Sequence, residues 1–148
     1  MTKADVQAYL HRHIPISAAM GVEVMGCDDR GATLRAPLAP NINHRATVFG
    51  GSASAVAILS AWTWLHFALR HAGHPSRLVI QGNAMAYLEP ITDDFEASCA
   101  APPAATLEKF LRTLARHRKA RIAVTAELRC GGKKVATFSG DYVAVKVD

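Results

Sequence analysis

Residues 50 to 69 read GGSASAVAILSAWTWLHFAL, and no Asp, Glu, Lys or Arg occurs from Ala46 to Leu69. A helix that is apolar on every side lies either in lipid or inside protein. About 20 mostly apolar residues suffice to cross a bilayer, so length alone does not decide. Composition does. The run opens on Gly50-Gly51-Ser52, carries Ser54, Ser60, Thr63 and His66, and is rich in alanine. The segments after it alternate as strands do and supply a sheet to bury it. The run is therefore predicted to be a protein-wrapped helix from about Gly51 to Ala72, stopped at Gly73.

The flanking elements follow from local signals. Thr2 with Asp5 three positions on forms a capping-box pattern, with Asp replacing the usual Glu. Val6, Tyr9, Leu10, His13 and Ile14 then recur at helical spacing until Pro15 ends the helix. Gly21–Cys27 and Ala32–Pro37 read as two strands joined by the turn Asp28-Asp29-Arg30-Gly31. After the central helix, Leu78–Tyr87 and Phe95–Ala101 read as strands, and Pro102-Pro103 breaks the sheet. Leu107, Phe110, Leu111 and Leu114 mark a short amphipathic helix. Ile122, Val124, Ala126 and Leu128 alternate with polar neighbours, which is the period of a half-buried strand. Gly131-Gly132 is a hairpin signal, and Val135–Val147 returns as the last strand. One long apolar helix among mainly antiparallel strands predicts a single α+β domain over residues 1–148.

The 148 residues suffice for a real core. Half are apolar, 20% are charged and the formal charge is +5, so disorder is not indicated. A mildly basic surface suits anionic partners, or serves solubility alone. Cys27, Cys99 and Cys130 are odd in number, far apart and without a CxxC pair, and read as free thiols. Met1-Thr2-Lys3-Ala4-Asp5 carries an acid early and no apolar signal core, so the cytoplasm is the expected compartment. His71 and His74 have no third partner, and no metal site is expected. The basic set Lys109, Arg112, Arg116, Arg118, Lys119 and Arg121 lacks interleaved aromatics, which argues against nucleic acid.

The candidate chemistry lies just before the helix, in Asn41-Ile-Asn43-His44-Arg45-Ala-Thr47-Val-Phe49-Gly50-Gly51-Ser52. The first N–H groups of a helix have no intrahelical partner and sit at the positive end of its dipole. Gly50 and Gly51 let a carbonyl oxygen approach them closely, or only permit tight packing. Asn43 is a water or carbonyl holder, or a turn residue. His44 is the one imidazole of the loop, a general base or a surface histidine. Ser52 is a cap or donor rather than a nucleophile, having no local base. Asn83 stands mid-strand among small residues, either paired or facing a ligand. Tyr87 reads as packing and His66 as a satisfied core histidine.

These residues resemble the hotdog-fold thioesterases, and among them the YiiD C-terminal type. The resemblance is carried by Met20-Gly21, Pro37-Leu-Ala-Pro40-Asn41-Ile-Asn43-His44, Thr47-Val-Phe49-Gly50-Gly51-Ser52, and Asn83 with Tyr87-Leu-Glu-Pro90, and it spans about Ile14 to Val147. It implies a long antiparallel sheet wrapped round one helix, and a homodimer or dimer of dimers with sites at the interface. It also implies an acyl-CoA or acyl-carrier-protein substrate, with coenzyme A entering only as part of that substrate and no separate cofactor. On this reading Asn43, His44, Gly50, Gly51 and Ser52 do the chemistry. Thr47, Phe49, Asn83 and Tyr87 contact substrate, and Arg118 and Arg121 grip phosphates or an acidic carrier.

One departure matters. The phenylacetyl-CoA-thioesterase branch of hotdog enzymes carries an acid on the central helix where this chain has Ile58, and a His where it has Phe49. No carboxylate occurs between Asp29 and Glu89. The base is then His44, or an acid from elsewhere. The alternatives are an acyl-thioester binder without turnover, or an enoyl-thioester hydratase or dehydratase.

Overall fold

The computed structural model describes residues 1–148. Its elements, in order, are α1 (Lys3–His13), α2 (Pro15–Ala19), β1 (Glu23–Asp28), β2 (Gly31–Ala36), a 3-10 turn (Ala39–Asn41), α3 (Gly50–His71), β3 (Ser76–Tyr87), β4 (Phe95–Ala100), α4 (Ala104–His117), β5 (Lys119–Cys130) and β6 (Lys133–Lys146). The strands form one sheet in the order β1-β2-β4-β5-β6-β3, every pair antiparallel. The sheet curls round α3, which is the hotdog arrangement.

Two short elements escape the sequence reading. Pro15 ends α1 and also opens α2 as its first residue, because a proline needs no partner for its missing N–H there. The 3-10 turn at Ala39–Asn41 opens the loop before α3. The capping box forms as expected, with the Thr2 hydroxyl accepting from Asp5 N–H and the Asp5 carboxylate accepting from Thr2 N–H.

By length and composition α3 is able to cross a membrane, yet protein surrounds most of it. Ala53, Val56, Ala57, Ala61, Trp64 and Leu65 are buried against the concave face of the sheet. Its buried hydroxyls and indoles are satisfied. Ser60 and Thr63 hydroxyls donate back to Ala57 and Leu59 carbonyls at 2.8 and 2.7 Å. The indoles of Trp62 and Trp64 donate to the carbonyls of Leu78 and Asp28, both at 2.9 Å. Buried Tyr142 donates to the Ile58 carbonyl at 2.6 Å. These bonds tie the helix to β3, β1 and β6 and satisfy the polar ends of its large aromatic neighbours.

The two edges of the sheet are treated differently. Along β1, α1 supplies cover: Gln7 Oε1 accepts from Val24 N–H at 3.0 Å, and His11 Nε2 meets the Val22 carbonyl at 2.7 Å. The other edge, β3, is bare, and Val79 and Tyr87 on it are more than half exposed. An uncovered edge strand is an invitation to pair with another chain.

His66 is not the satisfied core residue expected. Its ring stacks on Trp62 at 4.5 Å and lies 5.0 Å from Tyr9, but Nε2 bonds nothing. Burial first, then the Arg70 and His13 charges, lowers its pKa to about 4 and keeps it neutral near pH 7. Cys27, Cys99 and Cys130 are free thiols, and burial pushes Cys99 up to about 12.

Candidate active site

The loop before α3 is folded by its own amides. Asn43 Oδ1 accepts from the N–H groups of Arg45 and Thr47 at 2.8 and 3.2 Å. Its Nδ2 donates to Thr47 Oγ1 at 2.9 Å and to the Val48 carbonyl at 3.5 Å. The side chain of Asn43 is thus spent on a tight turn in which Ala46 takes a positive φ of 59°. An Ile42–Val48 bridge closes the base of that turn. Asn41 is the more deeply placed amide, 2% exposed. Its Nδ2 donates to the carbonyls of Met20 and Pro37 at 2.9 and 2.8 Å, and its own carbonyl accepts from Phe49 N–H at 2.7 Å. One residue therefore ties the end of α2, the end of β2 and the N-cap of α3 together.

At the start of α3, Phe49 takes the N-cap position and no side chain caps the helix. The N–H groups of Ser52 and Ala53 both bond the Phe49 carbonyl, at 2.9 and 3.1 Å, while those of Gly50 and Gly51 have no acceptor within the protein. Two donors at the positive end of a helix of 22 residues are therefore free to receive a partial negative charge. The ring of Phe49, 56% exposed, lies over Gly51, and a Cβ built on Gly51 would fall 2.3 Å from it. Tyr87 brackets the other side by donating its hydroxyl to the Gly50 carbonyl at 2.8 Å.

The inner face of β3 completes this end of the fold. Cross-strand partners share a face, and Asn83, Met85 and Tyr87 lie opposite Gly140, Phe138 and Ala136, all three buried. Asn83 is exposed on that helix-facing side, and its amide bonds no protein group. A cavity of about 370 Å³ opens where β3 ends, lined in part by Thr47, Val48, Ala53, Tyr87 and Glu89. It reaches the first turn of α3.

The structure brings Thr47, Phe49, Gly50, Gly51, Ser52, Asn83 and Tyr87 to this end. It does not bring the others. His44 is exposed on the outer side of the turn, its Nε2 accepting from Arg45 Nε at 3.4 Å, and it lines none of the cavity. Arg118 is the left-handed C-cap of α4, paired with Asp148. Arg121 lies opposite Val143 on the outer face of β5, whereas the row through Tyr87 and Ala136 meets β5 at Leu128. At about 3.3 Å per residue the two rows are roughly 23 Å apart within one protomer. Glu89 is the residue the sequence reading passed over. The signal for it was its place two residues after Tyr87, the last residue of β3, and two before Ile91, whose carbonyl holds Val48 N–H at 2.8 Å.

Two larger depressions lie elsewhere. One, of about 620 Å³, sits at the far end of α3 among Cys27, Trp64, Phe67, Leu107 and Leu111. The other, about 530 Å³, follows β2 and β4 past Thr33, Ser98 and Thr125. Neither includes the first turn of α3.

Solved structures share this fold. A protein of unknown function from Chlorobaculum tepidum has a solved structure matching with a TM-score of 0.93 at 28% identity, over 98% of this chain and 94% of that one. A "putative thioesterase" from Shewanella oneidensis matches with a TM-score of 0.86 at 29% identity, over 97% and 96%. A thioesterase from Haemophilus influenzae, 10% identical, has the same fold with a TM-score of 0.76 over 99% and 92%. The family model described as "Putative thioesterase (yiiD_Cterm)" matches residues 3–146. With its loop, axial helix and sheet all accounted for by that match, the chain belongs to the YiiD C-terminal thioesterase family.

Proposed function

We propose that this protein hydrolyses acyl thioesters, of coenzyme A or an acyl-carrier protein, at the amino end of α3. The observation that carries this reading is the pair of unclaimed N–H groups on Gly50 and Gly51, in the same helical turn as Ala53, which lines a cavity. A thioester carbonyl set against them gains stabilisation as its oxygen becomes an oxyanion. The Phe49 ring and Tyr87 wall the approach, Ser52 offers a further donor in the first turn, and the free amide of Asn83 faces the incoming chain. Thr47 acts with Asn43 to hold the loop in shape. The acyl chain then runs along the half-buried side of α3 past Ala55 and Ile58. Three free thiols suit a reducing compartment, and the cytoplasm is the proposed location.

The bare β3 edge supports a homodimer. Two copies pairing antiparallel through this edge, about a two-fold axis near Gly82, lay the Arg77 end of one strand beside the Tyr87 end of the other. Pairing of that kind carries the Arg118 and Arg121 side of one protomer toward the site of its neighbour, where coenzyme A phosphates or an acidic carrier would need it. Sedimentation at micromolar concentration should give twice the 15.9 kDa chain mass, and a monomer at all concentrations would remove this arrangement.

Purified protein is expected to release free thiol from members of an acyl-CoA and acyl-carrier-protein panel. A folded protein that binds these ligands saturably and releases none would instead be a binding module. That second reading is favoured by one feature alone, the absence of any carboxylate on α3.

A further inference from the structure

We propose that Glu89 is the general base that activates the hydrolytic water. The proposal rests on the thioesterase reading above and deepens it. Glu89 is the one carboxylate that lines the cavity at the first turn of α3, together with Thr47, Ala53 and Tyr87. Tyr87, two residues before it at the end of β3, donates its hydroxyl to the Gly50 carbonyl at 2.8 Å, which ties the chain just before Glu89 to the first residue of α3. The backbone at this point is fixed, because Leu88 and Glu89 both donate their N–H groups to the Val135 carbonyl, at 2.9 and 3.2 Å. Its Oε1 also forms an exposed ion pair with Lys133, Nζ lying 2.6 Å away, a pair of the kind that adds little to position or stability.

The other acids near this face are committed or turned away. Asp94 accepts from Leu38 N–H at 2.9 Å and pairs with Arg35. Asp141 shares the outer face of the sheet with Gly82 and Ala123. His44, the imidazole candidate, faces solvent beside Arg45 and has no carboxylate to orient it.

The step balances without any further reactant. A water oxygen attacks the thioester carbonyl carbon as one of its protons passes to the Glu89 carboxylate, and the carbonyl electron pair moves onto an oxygen facing Gly50 and Gly51. The carbon–sulfur bond then breaks, the carbonyl re-forms, and the departing thiolate takes the proton back from Glu89. One thioester and one water become a carboxylic acid and a thiol, and the base is regenerated.

The test is steady-state thiol release by the 148-residue chain and three variants. Glu89→Gln removes the proton acceptor while keeping size and polarity, and its kcat should fall about 10²- to 10⁴-fold with KM changed by no more than a few-fold. Lys133→Ala breaks the same ion pair but leaves the carboxylate, and should keep most of the turnover. If Lys133→Ala loses as much as Glu89→Gln, the ion pair and not the base is what matters, and the proposal is overturned. It is equally overturned if Glu89→Gln turns over within three-fold of wild type, or if His44→Ala carries the loss in its place. An inactive wild type would remove the thioesterase reading itself, and this proposal with it. Melting curves on the same samples keep misfolding from being read as chemistry, since an exposed ion pair of this kind contributes little to stability.

Discussion

Replacing Gly51 with alanine is expected to lower thioester turnover about 10²-fold while leaving the fold intact. The reason is local. A Cβ in a helix points back toward its N-terminus, and at position 51 it would fall 2.3 Å from the Phe49 ring. That ring is the far end of an exposed side chain, so it swings aside at little cost to folding. The new methyl group and the displaced ring then occupy the space through which a carbonyl oxygen reaches the free N–H groups. Loss of one oxyanion donor costs about 10²- to 10³-fold in other hydrolases. Gly50→Ala is the control, because a Cβ there would meet the Tyr87 hydroxyl at 3.5 Å, an ordinary contact. It should lose less. The measurement is kcat/KM for both variants with thermal melts alongside. Equal, near-wild-type turnover for Gly51→Ala would place the reacting carbonyl somewhere else.

Asn41→Ala should be the most destabilising single change in the loop, by about 2–4 kcal/mol. The side chain is 2% exposed and donates to two carbonyls from separate parts of the chain, Met20 and Pro37. Truncation takes a donor from the buried Met20 carbonyl and from the half-buried Pro37 carbonyl, and opens a small void. At roughly 2–4 °C per kcal/mol for a domain of this size, the melting temperature should fall on the order of 5–15 °C. Asn43→Ala, whose partners all lie in its own half-exposed turn, should cost less, about 1 kcal/mol. Differential scanning calorimetry orders the two variants. A larger drop at Asn43 than at Asn41 would contradict the view that Asn41 anchors the start of the helix.

This contrast also marks how far the sequence could be read. Long-period signals were legible. The uncharged run, the alternation from Ile122 to Leu128, the Gly131-Gly132 turn and the stop at Gly73 depend on near neighbours in the chain, and each appears in the structure. Pro15 was read as an ending only, although the same missing N–H that closes α1 suits the first position of α2. Within the loop, two asparagines stand two residues apart, and the sequence singled out Asn43 where the structure buries Asn41. Burial ranks the two, and burial depends on where Met20 and Pro37 come to rest. Arg118 and Arg121 looked like one basic patch because they are close in sequence. A left-handed cap and the outward side of a strand send them away from the Tyr87 end of their own protomer. Glu89 failed to stand out because its relation to α3 exists only once β3 has crossed the sheet and Tyr87 has met Gly50.

The central claim is that the amino end of α3 receives the reacting carbonyl. A crystal structure with a non-hydrolysable acyl-CoA analogue tests it most directly. The expected result places the analogue's carbonyl oxygen within about 3 Å of the N–H groups of Gly50 and Gly51, with its chain along Ala55 and Ile58. An analogue seated instead among Trp64, Phe67 and Leu107, at the opposite end of the helix, would contradict it.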